Sequence, residues 1–166
     1  MIYFEDLEPG KTTVVGSHTF TAEAIRAFAT RFDPQPFHID EAAGRETHFG
    51  GLVASGWHTA SAYARLVALY LASRQEIRSE QVGEDPAPPG PSTGLEELRW
   101  IKPVRPGDTV TYSWEVLETR LSRSRPGWGV TRLRIHGVNQ DGVEVITFVQ
   151  TVLVATRDAT SYSGAA

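Results

Sequence analysis

The apolar positions change their period along the chain, and each change marks an element. After the turn Glu8-Pro9-Gly10, the run Lys11–Phe20 is rich in β-formers (Thr12, Thr13, Val14, Val15, Thr19, Phe20) and predicts a strand. Thr21 offers an N-cap, and Ala24, Ile25, Phe28 and Ala29 recur at three and four, predicting a short amphipathic helix. Asp33-Pro34 stops it. Asp40–Gly44 predicts a brief helical turn, and Phe49-Gly50-Gly51 a tight bend. From about Trp57 to Ser73 the chain carries many alanines and a single charge, Arg65. That predicts a long helix, about 25 Å at ~1.5 Å per residue, buried on most sides.

Residues 74–93 change character. Arg74–Glu84 is polar, and Asp85–Pro91 holds four prolines, so this stretch reads as a loop or flap. The remainder is β. Leu95–Ile101 predicts one strand, and Arg105-Pro106-Gly107-Asp108 a turn. Val110, Tyr112, Trp114 and Val116 alternate with Thr111, Ser113 and Glu115, the pattern of a half-buried strand. Ser122–Gly127 is a turn. Trp128–Val138 predicts a strand whose apolar phase moves between Val130 and Leu133, which suggests a bulge. Asn139–Gly142 is a hairpin turn, and Val143–Ala155 is β-branched on both faces, as in a central strand. The order predicts one α+β domain over residues 1–156, an antiparallel sheet curled around a single long helix. Residues 157–166 are Ser/Ala/Gly-rich and read as a frayed tail.

Composition narrows the function classes. The chain has 166 residues, 40% of them hydrophobic and 22% charged, which suffices for one ordinary core. A net charge of −4 argues against nucleic acid as a partner. The absence of cysteine removes disulfides, thiol catalysis and thiolate metal sites. The acidic start, Met1–Glu8, has no basic region followed by an apolar stretch, and no run approaches the roughly 18 apolar residues of a membrane span. A cytoplasmic location is expected, with no membrane partner.

The candidate chemistry lies in Phe32-Asp33-Pro34-Gln35-Pro36-Phe37-His38-Ile39-Asp40. Two prolines spaced one apart exclude a regular helix here, so Asp33 and His38 are held five positions apart on a stiff, irregular segment. Phe32 and Phe37 are available to keep them dry. A carboxylate and an imidazole in apolar surroundings suit proton transfer. They equally suit a turn cap and a core histidine, and these nine residues do not separate the two readings. His48 and His58 follow the segment and can either line a pocket or pack, packing being the first reading; His18 and His136 lie in strands and read as surface or satisfied side chains. No metal-ligand spacing is present, so no metal is expected. Ser55-Gly56-Trp57 lacks a Gly-x-Ser-x-Gly elbow.

Taken together, Asp33–Asp40, Phe49–Thr59 (Phe-Gly-Gly-Leu-Val-Ala-Ser-Gly-Trp-His-Thr) and Lys102–Asp108 (Lys-Pro-Val-Arg-Pro-Gly-Asp) resemble the MaoC-like dehydratases, the (R)-specific enoyl-CoA hydratases of the hot-dog fold. The resemblance covers nearly the whole chain. It implies reversible hydration of a trans-2-enoyl thioester to the (R)-3-hydroxyacyl form, with Asp33 and His38 activating water and the Gly56 amide binding the thioester oxygen. It also implies a place in fatty acid metabolism, a CoA or acyl-carrier thioester as substrate, no separate cofactor, and a homodimer or higher even oligomer whose pocket forms at the interface. The chain departs from the family at Gln35, where Asn is usual, and at Ser55 and Trp57, which replace the usual His and Met beside the glycine. Gln35, Phe37, Phe49, Gly51, Ser55 and Trp57 are therefore expected to bind substrate; Arg99, Lys102 and Arg105 are candidates for CoA phosphates, with plain solvation the commoner role for such residues. Two rival readings remain: a non-catalytic acyl-thioester-binding protein, and a thioesterase. The second is disfavoured because Trp57–Ser73 contains no carboxylate.

Overall fold

A computed structural model describes residues 2–82 and 90–158, the side chains of 75–82 excepted. Strand β1 (Thr12–Thr19) leads into helix α1 (Ala22–Phe32), whose cap is the Thr21 hydroxyl accepting from the Ala24 amide. Two single-turn helices follow, α2 (Pro36–Ile39) and α3 (Glu41–Arg45), the latter capped by the Asp40 carboxylate. Helix α4 spans Gly56–Val82, and β2 (Ser92–Trp100), β3 (Thr109–Leu121), β4 (Trp128–Val138) and β5 (Glu144–Ala155) complete the chain. The strands form one antiparallel sheet in the order β1-β3-β4-β5-β2. The described residues contain no helix long and apolar enough to cross a membrane.

Alternation decides which face of the sheet meets the helix. Val110, Tyr112, Trp114 and Val116 of β3 are buried, with Leu133 and Ile135 of β4 and Phe148 of β5. Ala62, Tyr63 and Leu66 of α4 pack into the same core. Two phenols tie helix to sheet: Tyr112 donates to the Thr59 carbonyl at 2.9 Å, and Tyr63 to Gln150 Oε1 at 3.1 Å. Burial raises both phenol pKa values, so both remain donors. Gly16 (φ 142°) sits at a bulge in β1, and a side chain there would press on Leu66 at 3.1 Å, so α4 rides close to the strand. This helix on a curled sheet is the hot-dog arrangement that the motifs implied.

Several expectations are corrected. Pro36 does not prevent helix; it occupies the first position of α2, where its missing N–H has no partner to lose. Helix α4 runs to Val82 rather than Ser73, and β2 begins at Ser92, so 74–82 and 92–93 of the expected loop or flap belong to these elements, while 83–89 lie outside the described residues. Nor is α4 buried on most sides. Ser61, Ala64, Arg65, Ala68 and Leu69 are exposed, because alanine tolerates water and the sheet covers one face only. The bulge expected in β4 lies opposite, at Leu117 of β3, while β4 alternates regularly with Thr131 turned inward. Arg157 is not frayed: its amide donates to Glu5, its guanidinium pairs with Asp6, and only the tail beyond 158 lies outside the described residues.

One buried cluster links the core to pH. His58 stacks on Phe28 at 4.6 Å, meets Phe20 edge-on, and lies 6.0 Å from His18 of β1, itself near Arg65. Burial first, and the neighbouring imidazole second, push the His58 pKa down to about 4 from an ordinary 6.5. The unfolded chain therefore binds this proton below pH 6.5, while the folded chain refuses it until about 4. Stability is expected to be full above 6.5 and to fall between 6.5 and 4, by at most about 1.4 kcal/mol per pH unit from this group. Urea denaturation across that window, compared with His58→Leu, checks this; an unchanged slope in the variant contradicts it.

Candidate active site

The site is built where α1 ends. The Asp33 amide closes the last turn on the Ala29 carbonyl at 2.9 Å, and Pro34 prevents continuation, so the Asp33 side chain leaves the helix at a fixed point. One short turn later, His38 is brought back beside it and buried. Imidazole Nε2 lies 3.5 Å from Asp33 Oδ2, too far for a good direct hydrogen bond and within reach of one shared water.

Each member of the pair is oriented by the buried segment 51–55. The Val53 carbonyl lies 2.7 Å from His38 Nδ1; a carbonyl only accepts, so Nδ1 carries a proton, and Nε2 is the nitrogen turned to Asp33. Ser55, fully buried, donates to Asp33 Oδ2 at 2.6 Å and accepts from the Trp57 amide at 3.2 Å. Gln35 Nε2 donates to the other carboxylate oxygen at 3.2 Å. The Ser55 bond most strongly, then Gln35 and the imidazole, hold the Asp33 pKa below the usual carboxylate value against an opposing desolvation. Asp33 is therefore a carboxylate at neutral pH.

These groups face a cavity of about 570 Å³ whose lining includes Gln35, Phe37, Phe49, Gly56 and Trp57. Those expected residues share one site with Asp33 and His38. Gly51 and Ser55 do not line it. Gly51 packs beneath, against Gly44 and Glu41, and Ser55 works from behind Asp33. Phe32 also fails to face the cavity: it is exposed and pairs with Phe28, whereas Phe37 packs against His38 and Phe49. His48 lines the wall, Lys102 and Arg105 stand at the rim, and Arg99 lies elsewhere. Arg105 also donates to the Phe49 carbonyl, fastening the bend over α3. The residues that sequence reasoning missed are Thr59, Trp100, Ile101 and Val145. Only the tertiary pairing of β2 with β5 beside the start of α4 brings them here.

Helix α4 begins at the cavity. His58 and Thr59 amides bond the Ser55 carbonyl, Trp57 bonds its hydroxyl, and the Gly56 amide has no acceptor among the described residues. An unpaired N–H at a helix N-terminus, with the dipole behind it, favours developing negative charge. A second, apolar cavity of about 470 Å³ lies farther along α4, between Tyr63, Val67 and Leu71 on the helix and Trp114, Gln150 and Val152 on the sheet.

This fold is shared by known proteins. The MaoC like domain model matches residues 7–135, and the chain belongs to that family. It is similar to a MaoC-like dehydratase structure from Rhodospirillum rubrum: 35% identity, TM-score 0.74, covering 94% of this chain and 98% of that one. The (R)-hydratase of A. caviae involved in PHA biosynthesis is similar at 26% identity and TM-score 0.64, covering 89% and 97%. Among curated relatives, the 3-hydroxybutyryl-CoA dehydratase of Methylorubrum extorquens is 29% identical over 127 residues, 75% of this chain and 70% of that protein. Protein MaoC of Klebsiella aerogenes is 32% identical over 109 residues, 65% of this chain, but the chain spans only 28% of that protein's length.

If Ser55 holds Asp33 ionised, Ser55→Ala is expected to raise the Asp33 pKa. A carboxyl-carbon NMR titration reads this directly; an unmoved or lowered pKa contradicts it.

Proposed function

We propose that this protein adds water reversibly across the double bond of a trans-2-enoyl thioester, giving the (R)-3-hydroxyacyl thioester. The observation that carries the reading is the pairing of His38 Nε2 with the Asp33 carboxylate at 3.5 Å in one cavity, beside an unpaired helix-N-terminal amide. The likeness to a MaoC-like dehydratase and to an (R)-hydratase supports it.

Addition proceeds as follows. Asp33 and His38 hold one water between them. His38 Nε2 takes a proton as the water oxygen bonds C3, and the displaced π electrons pass to the thioester oxygen, where the Gly56 N–H meets the charge. Asp33 stabilises the imidazolium formed. The proton then passes from Nε2 to C2 as the carbonyl re-forms, so both atoms of H–OH end on the substrate and the dyad is restored. The apolar cavity beyond Tyr63 takes the acyl tail, and Lys102 and Arg105 at the rim face the carrier phosphates. The stretch of α4 that lines the active cavity, Gly56–Thr59, carries no carboxylate, which leaves a thioesterase without its usual residue.

Crotonyl-CoA hydration followed by loss of enoyl absorbance tests the proposal. Asp33→Asn and His38→Ala are each expected to lose on the order of 10²–10⁴-fold in kcat/KM. The double variant should be scarcely worse, because groups acting on one water are not additive. Unaltered turnover in either single variant, or thiol release without hydration, overturns it.

We further propose that the working unit is a dimer. Strand β2 is a sheet edge exposed along nearly its whole length, with Leu95 and Trp100 bare and Ile101 beside them. Sedimentation at micromolar concentration should give twice the 18.2 kDa chain mass. A monomer with full activity contradicts this.

A further inference from the structure

An enolate oxygen held by one amide is under-supplied, since acyl-transfer and enolate sites commonly converge two or more donors on it. The hydratase reading above supplies only Gly56. What lies over Gly56 is the indole of Trp100. A methyl group built on the glycine would meet indole Cε2, Nε1 and Cδ2 at 2.4, 2.5 and 2.6 Å, so the five-membered face of the indole covers the bare Cα and excludes any side chain there.

That contact bounds a distance. In standard backbone geometry a Cβ stands about 2.5 Å from its own amide nitrogen, so indole Nε1 lies within about 5 Å of the Gly56 nitrogen. Each N–H reaches an acceptor at about 2.9 Å, so two donors can share one oxygen only when their nitrogens are closer than about 5.8 Å and both N–H bonds point toward it. Trp100 lines the same cavity as Asp33 and His38. Its N–H can only donate, and among the described residues it has no acceptor; the residue is 46% exposed, and its ring is held edge-to-face by Trp57 at 5.3 Å. A residue needed only to wall the cavity over a glycine requires no polar edge.

Resting on the hydratase reading, we propose that Trp100 is a second oxyanion donor: its indole N–H and the Gly56 amide bind the thioester oxygen together. Phenylalanine at this position would keep an aromatic wall and lose the donor. The group acts when charge develops, so its removal is felt in kcat more than in KM.

The test uses the full chain with crotonyl-CoA. Trp100→Phe is expected to lower kcat on the order of 10²-fold with KM little changed. Infrared difference spectra with carbonyl-¹³C substrate should show the bound thioester stretch at higher frequency in the variant. Should Trp100→Phe fold poorly by circular dichroism, replacement by β-(3-benzothienyl)alanine keeps the bicyclic shape, exchanges N–H for sulfur and should give the same loss. If the unaltered protein hydrates crotonyl-CoA and either variant keeps kcat within twofold with an unmoved carbonyl band, the donor role is overturned and the hydratase reading stands. If the unaltered protein does not hydrate an enoyl thioester, both fall together.

Discussion

Everything at the site depends on how the buried segment Gly51–Ser55 is held. Its five residues are out of water, so each backbone polar group needs a partner, and the partners are the site itself. The Val53 amide bonds the Phe37 carbonyl, the Val53 carbonyl accepts a hydrogen bond from His38 Nδ1–H, and the Ala54 amide bonds the Val104 carbonyl. Leu52 donates to Glu41 at 3.1 Å. One strut thus joins the single-turn helices, the β2–β3 loop and the head of α4. An imidazole held by a carbonyl has one tautomer, and that choice determines which nitrogen meets substrate.

Ser55 performs two tasks that belong to different levels of structure. As a helix cap it satisfies the Trp57 amide; as a donor it bonds Asp33 at 2.6 Å and holds it charged. Moving α4 would therefore move the carboxylate. This coupling explains why Phe32, adjacent to Asp33 in the chain, turns away from the cavity while Ser55, twenty-two residues on, touches the carboxylate.

Position along α4 separates chemistry from capacity. Its first turn presents an amide and the Trp57 ring to the dyad cavity, and the next turns present Tyr63, Val67 and Leu71 to an apolar cavity. Trp100 belongs to neither series. It reaches Gly56 from β2, across a sheet edge that carries strained backbone at Glu97 (φ 54°) and a register shift between Glu96 and Arg99. Gly44 and Gly56 are each bare where another backbone or ring approaches, so close packing and chemistry share the same residues.

Local rules were enough for much of this. Alternation placed β3 and its inward face, a threonine cap and three-four spacing placed α1, and the motifs Asp33–Asp40 and Phe49–Thr59 placed the dyad and the helix-head glycine. Those signals are legible because each depends on neighbours within one or two turns of chain. The length and one-sided burial of α4, the bulge at Leu117 and the inward Thr131 were not, because alanine-rich helix and alternating strand do not say how much surface a partner covers. Nor did spacing show that Gly51 and Ser55 lie behind the cavity while Trp100, Ile101 and Val145 line it. The sequence by itself determined which chemical groups are present and which are stiffened together. The tertiary structure alone decided which nitrogen of His38 is free and which strand end covers Gly56, because both rest on contacts between segments far apart in the chain.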